Sequence, residues 1–254
     1  TVLAQLVNVG SMPLLTRIYT RREYGVFTLF MTLTVIASIV AGGGYPFAIL
    51  SEKHEDSAWG SLFVSLLWAI VCVIVMTVVI LTLNAVITDR SSEWLILCQP
   101  SFAFLCGAMV FFLVFYNALY YWLVRHGSYA ALSRNRVVGA LVVAIASLLL
   151  GWFGAGIYGL VAGAVIGRAA YSLHIARQAF KLKLVPTCWP GWSTVFRTAF
   201  ENRQNPVFLI PSGLIRRFAS EIHVIFLSSF AGIEMVGALG LCRQSLSMPS
   251  ALLG

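Results

Sequence analysis

The sequence predicts an all-α integral membrane protein, built as a polytopic bundle of helices. Hydrophobic residues make up 59% of the chain and charged residues 10%, whereas soluble domains average about 45–50% and about 25%. Three long windows carry no charge, namely Tyr24–Ser51, Ser57–Thr88 and Trp94–Val124. Each exceeds the roughly 20 residues that cross about 30 Å of hydrocarbon. Because the windows are continuously apolar and do not alternate, helices are favoured over barrel strands.

The order of apolar runs predicts one complete six-helix lobe followed by the first two helices of a second. The expected helices are Thr1–Thr16, Tyr24–Leu50, Trp59–Val86, Trp94–Val124, Val137–Gly151, Ile157–Phe180, Val207–Phe230 and a last one from Val236. Residues 1–180 are assigned to the first lobe, 181–206 to a cytoplasmic connection and 207–254 to the start of the second. Both ends of the chain lie in apolar runs, so we expect the second lobe to be truncated.

Glycine-rich stretches interrupt two of these runs. Val137–Gly167 would be about 46 Å long as one helix, too long for a single crossing, and Gly151–Gly156 therefore predicts a hairpin. Gly42–Gly44 with Pro46 is expected to kink the second helix. Small residues recur every fourth position in the sixth helix and predict a close contact with a neighbouring helix. They are Gly159, Gly163 and Gly167.

Two elbows in the sequence resemble each other. In Leu14–Phe30 an apolar run leads to Glu23 and then Gly25, and in Ile225–Leu241 another leads to Glu234 and then Gly237. A new apolar run begins after each glycine. Internal repetition of this kind is typical of secondary transporters, so the elbows suggest a duplicated membrane fold.

The net charge of +8 comes from Lys and Arg that are concentrated in the predicted loops, and it does not indicate nucleic-acid binding. Cytoplasmic loops are enriched in Lys and Arg. A cytoplasmic N-terminus places Lys53, Arg125, Arg134, Arg136, Arg177, Lys181, Lys183, Arg197 and Arg203 in inner loops. The outer loops then hold Arg17, Arg21, Arg22 and Arg90. This excess of inner charges favours that orientation.

The connection near residue 190 predicts a short helix lying in the membrane interface. Ser193 is the expected N-cap, and Trp189 and Trp192 are expected to anchor the helix. The expected apolar face consists of Val195, Phe196, Ala199 and Phe200.

Charges within the apolar runs point to an interior cavity. An Arg that faces lipid near the bilayer centre costs at least about 2.5–3.5 kcal/mol, so Arg168, Arg216 and Arg217 are expected to turn towards a shared watery space. Glu221 follows Arg217 by one helical turn. Two roles remain open for it, an internal ion pair and a carboxylate that couples transport to a proton or cation. His223 is either a hydrogen-bonded packing residue or part of such an ion-coupling site.

No catalytic, metal-binding or cofactor-binding pattern is present, so we expect neither an enzyme nor a cofactor. The five cysteines lack C-x-x-C spacing, which excludes the usual zinc and redox frames. Nucleophile elbows, P-loops and H-E-x-x-H sequences are likewise missing from the chain.

Four stretches, namely Arg17–Phe27, Tyr121–Ser133, Gly156–Gly163 and Phe230–Leu239, carry a family resemblance. In them the chain resembles the Wzx-like polysaccharide flippases of the multidrug, oligosaccharidyl-lipid and polysaccharide exporter superfamily. The resemblance implies two six-helix lobes around a cavity that opens alternately to each side of the membrane. It departs from the family at His223, where an acidic residue is common, and at Arg168, where the residue is usually uncharged.

The resemblance also implies a cargo, a lipid-pyrophosphate-linked oligosaccharide in a bacterial inner membrane, with membrane lipids and polysaccharide polymerase or assembly proteins as partners. Guanidinium groups suit its phosphates. The expected cavity residues are Arg17, Arg21, Asn117, Tyr120, Arg168, Arg216 and Arg217. Snorkelling remains the alternative for Arg17 and Arg21, and helix packing for Asn117 and Tyr120. Rival functions are a drug or metabolite exporter, which the Arg-rich interior disfavours, and a membrane polymerase or ligase, which would need a long outer loop.

Overall fold

A computed structural model describes residues 2–86, 99–182, 184 and 191–253, and within these ranges the protein is built from ten helices without a strand. They are α1 Val2–Ile18, α2 Arg21–Gly42, α3 Tyr45–Ser51, α4 Glu55–Val86, α5 Pro100–Arg125, α6 Tyr129–Trp152, α7 Gly156–Lys181, α8 Trp192–Glu201, α9 Gln204–Phe230 and α10 Ile233–Leu253. Among the described helices, α2, α4, α5, α6 and α7 are long and apolar enough to cross a membrane. The predicted all-α membrane bundle is therefore confirmed.

The second predicted helix is broken rather than kinked, so the expected bounds Tyr24–Leu50 are wrong. A capping box starts α2 early, because the Glu23 amide donates to the Thr20 hydroxyl and the Thr20 amide donates to the Glu23 carboxylate. At the other end Gly43 and Gly44 adopt φ of 58° and 73°. Two successive left-handed residues cannot continue a right-handed helix, and α3 begins immediately after them.

Several other boundaries differ from the expectation. The fifth predicted helix, α6, starts at Tyr129 instead of Val137, and α9 starts at Gln204 instead of Val207. Residues 94–98 of the fourth predicted helix lie outside the described residues, and α5 begins at Pro100. The predicted hairpin is present as α6 and α7, whose turn lies at residues 153–155.

A short helix is present as α8 in the predicted place, but its cap and its buried face differ from the prediction, and its position in the membrane interface stays a prediction. Gly191, not Ser193, is the N-cap, and no side chain caps the helix. Val195 and Thr198 face the protein, whereas Phe196 and Phe200 are 70% and 66% exposed. Thr198 lies against Gly60 of α4, where an added Cβ would come within 2.9 Å of its hydroxyl oxygen. Trp189 lies outside the described residues.

Glycines set the closest helix contacts. In the α6–α7 hairpin a Cβ on Gly167 would overlap Val143, and one on Gly163 would meet Ser147, which confirms the predicted small-residue contact. The two sequence elbows also meet, because Gly25 of α2 lies against the Ile233 carbonyl of α10 and Gly237 lies against the Arg21 carbonyl. The elbows that resemble each other in sequence thus form one close crossing.

Hydrogen bonds fix the opposite end of the bundle. The Arg125 guanidinium donates to the Ile49 and Glu52 carbonyls, both at 2.7 Å, and so satisfies carbonyls that the end of α3 leaves without a helical partner. The Asn202 amide donates to the Glu52 carboxylate at 2.7 Å. These bonds join α3 to α5 and to the segment between α8 and α9.

Candidate functional site

A cavity of about 470 Å³ lies between α9 on one side and α2, α3 and α5 on the other; we call it the α9 pocket. Its walls are Ser38, Ile39, Gly42, Gly44, Pro46, Phe47, Asn117, Tyr121, Leu209, Ser212, Gly213 and Arg216. This volume falls within the roughly 300–1,000 Å³ typical of ligand pockets.

The break between α2 and α3 creates this pocket. Gly44 has no side chain where α9 passes, and an added Cβ would come within 2.8 Å of Leu209 Cδ1. Gly213 lies equally close to α2, since its Cβ would be 2.9 Å from Ile39 Cγ2. Helix backbones therefore approach closely on two sides of the cavity, because neither glycine has a side chain that would hold them apart.

The polar groups of the α9 pocket are one guanidinium and several neutral hydrogen-bonding groups. The hydroxyl of Ser38 donates to the Val35 carbonyl at 2.7 Å and that of Ser212 to the Leu209 carbonyl at 3.2 Å. Both serine oxygens therefore face the pocket mainly as acceptors. Asn117 and Arg216 supply donors, and Arg216 forms no ion pair with any described carboxylate.

Aromatic rings form one wall of the same pocket. The rings of Phe47 and Tyr121 lie 5.0 Å apart between centroids, at an angle of 48°. Arg216 is close enough to Tyr121 to act electrostatically on its hydroxyl group. A single fixed cation beside aromatic faces and neutral donors suits a ligand that carries both an anionic group and hydroxylated rings.

Arg217 has a different environment from its neighbour. Its Nη2 lies 3.0 Å from Glu221 Oε1, and Glu221 is only 3% exposed. Arg243 of α10 holds the same carboxylate in a two-pronged contact, with Nη1 at 2.7 Å and Nη2 at 3.2 Å. The predicted Arg217–Glu221 ion pair is therefore present and extends to a triad that joins α9 to α10. An ion-coupling role for Glu221 stays a prediction.

A second cavity, of about 380 Å³, lies among α1, α2, α5, α6 and α7; we call it the α7 pocket. Arg136 and Arg168 both line it. The Arg168 guanidinium carbon lies 5.7 Å from the Tyr116 ring centroid and 5.6 Å from that of Tyr171, within the range of cation–π contacts.

The structure therefore distributes the three interior arginines over three environments. Arg168 lies in the α7 pocket, Arg216 in the α9 pocket and Arg217 in the triad. Successive helix residues point about 100° apart, which separates Arg216 from Arg217. A single chamber shared by all three, as the sequence analysis expected, is not formed by the described residues.

The remaining predicted residues divide in the same way. Asn117 lines the α9 pocket together with Arg216, as predicted. Tyr120 does not line this pocket but packs against the buried core, where its ring lies 6.0 Å from that of Tyr116. Tyr121 lines the pocket instead of Tyr120. His223 is exposed on α9 and lines neither pocket. Arg17 and Arg21 are exposed at the first elbow, outside both pockets.

Sequence reasoning overlooked two further arginines. The sequence places Arg136 in a loop, because the fifth helix is predicted to start at Val137. In the structure α6 starts at Tyr129, so Arg136 lies two turns into that helix. Arg243 lies within the last predicted helix, which begins at Val236, and the sequence does not identify its partner. Because charges within membrane helices usually pair, an Arg in the last predicted helix could have predicted an ion pair with an acidic residue of a neighbouring helix.

Comparison with known proteins supplies the family. A family model described as polysaccharide biosynthesis protein matches residues 1–254, the whole chain. No curated protein and no solved structure matches the chain significantly. The family match agrees with the multi-pass helix bundle and with the helices long and apolar enough to cross a membrane. The chain belongs to the polysaccharide biosynthesis protein family.

Proposed function

We propose that the protein is a Wzx-like flippase, which moves undecaprenyl-pyrophosphate-linked oligosaccharide units across the bacterial inner membrane for surface polysaccharide assembly. The observation that carries the proposal is the α9 pocket, where Arg216 faces neutral donors and aromatic rings without a described carboxylate partner. Family membership supports the link to polysaccharide biosynthesis.

The chemistry of such a cargo matches the pocket in two respects. A pyrophosphate that enters a low-dielectric layer must exchange its water for other charge-compensating groups, and a guanidinium binds phosphate oxygens through paired N–H donors. Sugar rings offer hydroxyl groups for Asn117 and the serines, and apolar ring faces for Phe47 and Tyr121.

The same lining argues against a drug exporter. Cationic drugs would be repelled by Arg216, and none of the residues around the α9 pocket is acidic. The pocket therefore favours the anionic cargo over the alternative exporter function.

Alternating access in this proposal uses α9 and α10 as one moving body. The triad of Arg217, Glu221 and Arg243 holds these two helices together. At Gly25 and Gly237 the backbones of α2 and α10 are in close contact, because neither glycine has a side chain that separates them. Rocking at this crossing would widen or narrow the α9 pocket. Arg17 and Arg21 would lie at the outer mouth.

The test replaces Arg216 in the intact protein, expressed in cells that lack the native gene. Arg216→Gln is expected to reduce surface polysaccharide about tenfold or more, since one charge-assisted contact is worth roughly 1.5–3 kcal/mol. Arg216→Lys should retain part of the activity, because it keeps the charge but loses the paired donors.

The matched control is Arg197→Gln. The side chain of Arg197 is 64% exposed on α8, forms an ion pair with the exposed Glu201 at 3.7 Å and lines neither pocket. Immunoblots of the membrane fraction should show equal amounts of all variants. Normal polymer levels in Arg216→Gln cells would refute the assignment of the α9 pocket as the cargo site.

A further inference from the structure

The α7 pocket differs from the α9 pocket in what surrounds its charges. Among the described residues, helices α1, α2, α5, α6 and α7 supply its walls, and no described residue of α9 or α10 lines it. Apart from Arg136 and Arg168, the polar side chains among its described walls are those of Gln5 and Tyr171, and none of these described residues is acidic. Most of the remaining wall is apolar, including Phe27 and two methionines.

The backbone around Arg168 is held firmly in place. The hydroxyl of Ser172 lies 2.8 Å from the Arg168 carbonyl and 3.1 Å from the Phe112 carbonyl of α5. Tyr171 packs flat on α6, because the missing side chain of Gly139 leaves room for its ring. The Tyr116 and Tyr171 rings lie 4.6 Å apart between centroids and form one packed aromatic pair on one side of the guanidinium.

The charge of this pocket is not compensated within the described residues. Neither Arg136 nor Arg168 forms an ion pair with a described carboxylate. Cation–π contacts contribute about 0.5–2 kcal/mol, less than the cost of holding a guanidinium in an apolar layer. An anion placed between the two guanidinium groups would remove that cost.

The hairpin register shows how the pocket extends into the bundle. Gly167 lies opposite Val143, so Arg168 is about six residues, or roughly 9 Å, along α6 from the level of Arg136. Arg136 is exposed and belongs to the basic end of α6, where lipid headgroups would lie. The cavity therefore leads from a charged entrance towards Phe27, Met31 and Met109.

We propose that the α7 pocket binds a phosphate ester that carries an apolar chain, as at the end of an anionic membrane lipid. Arg136 and Arg168 grip the phosphate, and the first carbons of the chain lie against Phe27, Met31 and Met109. Its described walls carry two neutral hydrogen-bonding side chains, Gln5 and Tyr171, fewer than those of the α9 pocket, and this favours a lipid phosphate over a sugar. The inference stands apart from the proposed cargo site, since the two pockets share no residue.

The experiment measures thermal unfolding of the intact protein, purified in a neutral detergent, against rising concentrations of three probes. These are dihexanoyl phosphatidic acid, dihexanoyl phosphatidylcholine and inorganic phosphate. Phosphatidic acid should raise Tm in a saturable way, and the zwitterionic lipid should do so only weakly. Arg136→Gln and Arg168→Gln should each raise the half-saturating concentration about tenfold or more, from the loss of one charge-assisted contact.

Arg197→Gln serves as the matched control, because Arg197 is exposed and lines neither pocket, and its replacement should leave the phosphatidic acid titration within about twofold of the parent. Arg136 is exposed, so its replacement keeps the test informative if Arg168→Gln fails to fold. An equal response to inorganic phosphate, with the same dependence on both arginines, would support the site and identify free phosphate as its source. A titration that is non-saturable, or that neither arginine variant alters, would overturn the proposal whatever the polysaccharide assay shows.

Discussion

Two adjacent arginines of α9 show how one helix can carry both a structural and a ligand-facing charge. Arg217 shares a buried carboxylate with Arg243, whereas Arg216 faces the α9 pocket and has no such partner among the described residues. Removing the partner of a buried guanidinium destabilises a protein, because it leaves an uncompensated charge. An unpaired guanidinium in a cavity contributes little to the free protein and remains available to an anion.

The largest loss of stability is expected where the paired arginines lose the carboxylate that they share. Glu221→Gln removes the carboxylate that two arginines share, so the free energy of unfolding should fall by about 3–5 kcal/mol. Reversible denaturation of the purified protein measures it. Glu201→Gln is the control, because this residue is 54% exposed and 3.7 Å from Arg197, and an exposed pair is worth about 0–1 kcal/mol. Equal losses in the two variants would show that the triad adds no special stability.

The next largest loss of stability is expected at the contact between α2 and α10, the helix that carries Arg243. A Cβ on Gly237 would overlap the Arg21 carbonyl, so Gly237→Ala should destabilise the protein by about 1–3 kcal/mol through overpacking. Gly10→Ala provides the contrast, since no atom lies within 4 Å of its added Cβ and alanine favours helix by up to about 1 kcal/mol. A Gly237→Ala protein as stable as the parent would mean that the two helices separate easily here.

A smaller effect is expected at Arg168, which resembles Arg216 in lacking an acidic partner among the described residues. Arg168→Met keeps an apolar side chain of similar length and removes an uncompensated charge, while it loses cation–π contacts worth about 0.5–2 kcal/mol. The free energy of unfolding should therefore change by less than about 2 kcal/mol. A loss as large as that of Glu221→Gln would place Arg168 among the structural charges.

Hydropathy and glycine spacing predicted most of the fold because both reflect local constraints. Charge-free windows identified the membrane helices, and the α6–α7 hairpin followed from the limit on helix length. The break between α2 and α3 was expected as a kink, because sequence shows that glycines are present but not that two of them adopt positive φ.

The candidate site was harder to predict, since it depends on helix rotation. Asn117 and Arg216 were named from composition and meet in the α9 pocket. Tyr120 was chosen in place of Tyr121, and the helix's rotation decides between them. The division of Arg168, Arg216 and Arg217 among three environments depends on how whole helices pack against one another. The spacing of residues along the sequence does not determine that packing.

The smallest expected stability effect is at Arg216 itself. Arg216→Gln should change the free energy of unfolding by about 0.5 kcal/mol or less, since the side chain is exposed and forms no ion pair with a described carboxylate. The same denaturation assay measures it beside Glu221→Gln. A stable variant that loses surface polysaccharide would separate function from folding on one helix, because the adjacent Arg217 would remain bound to Glu221. A large loss of stability would instead show that Arg216 has a structural partner, and the contrast between the two arginines would fail.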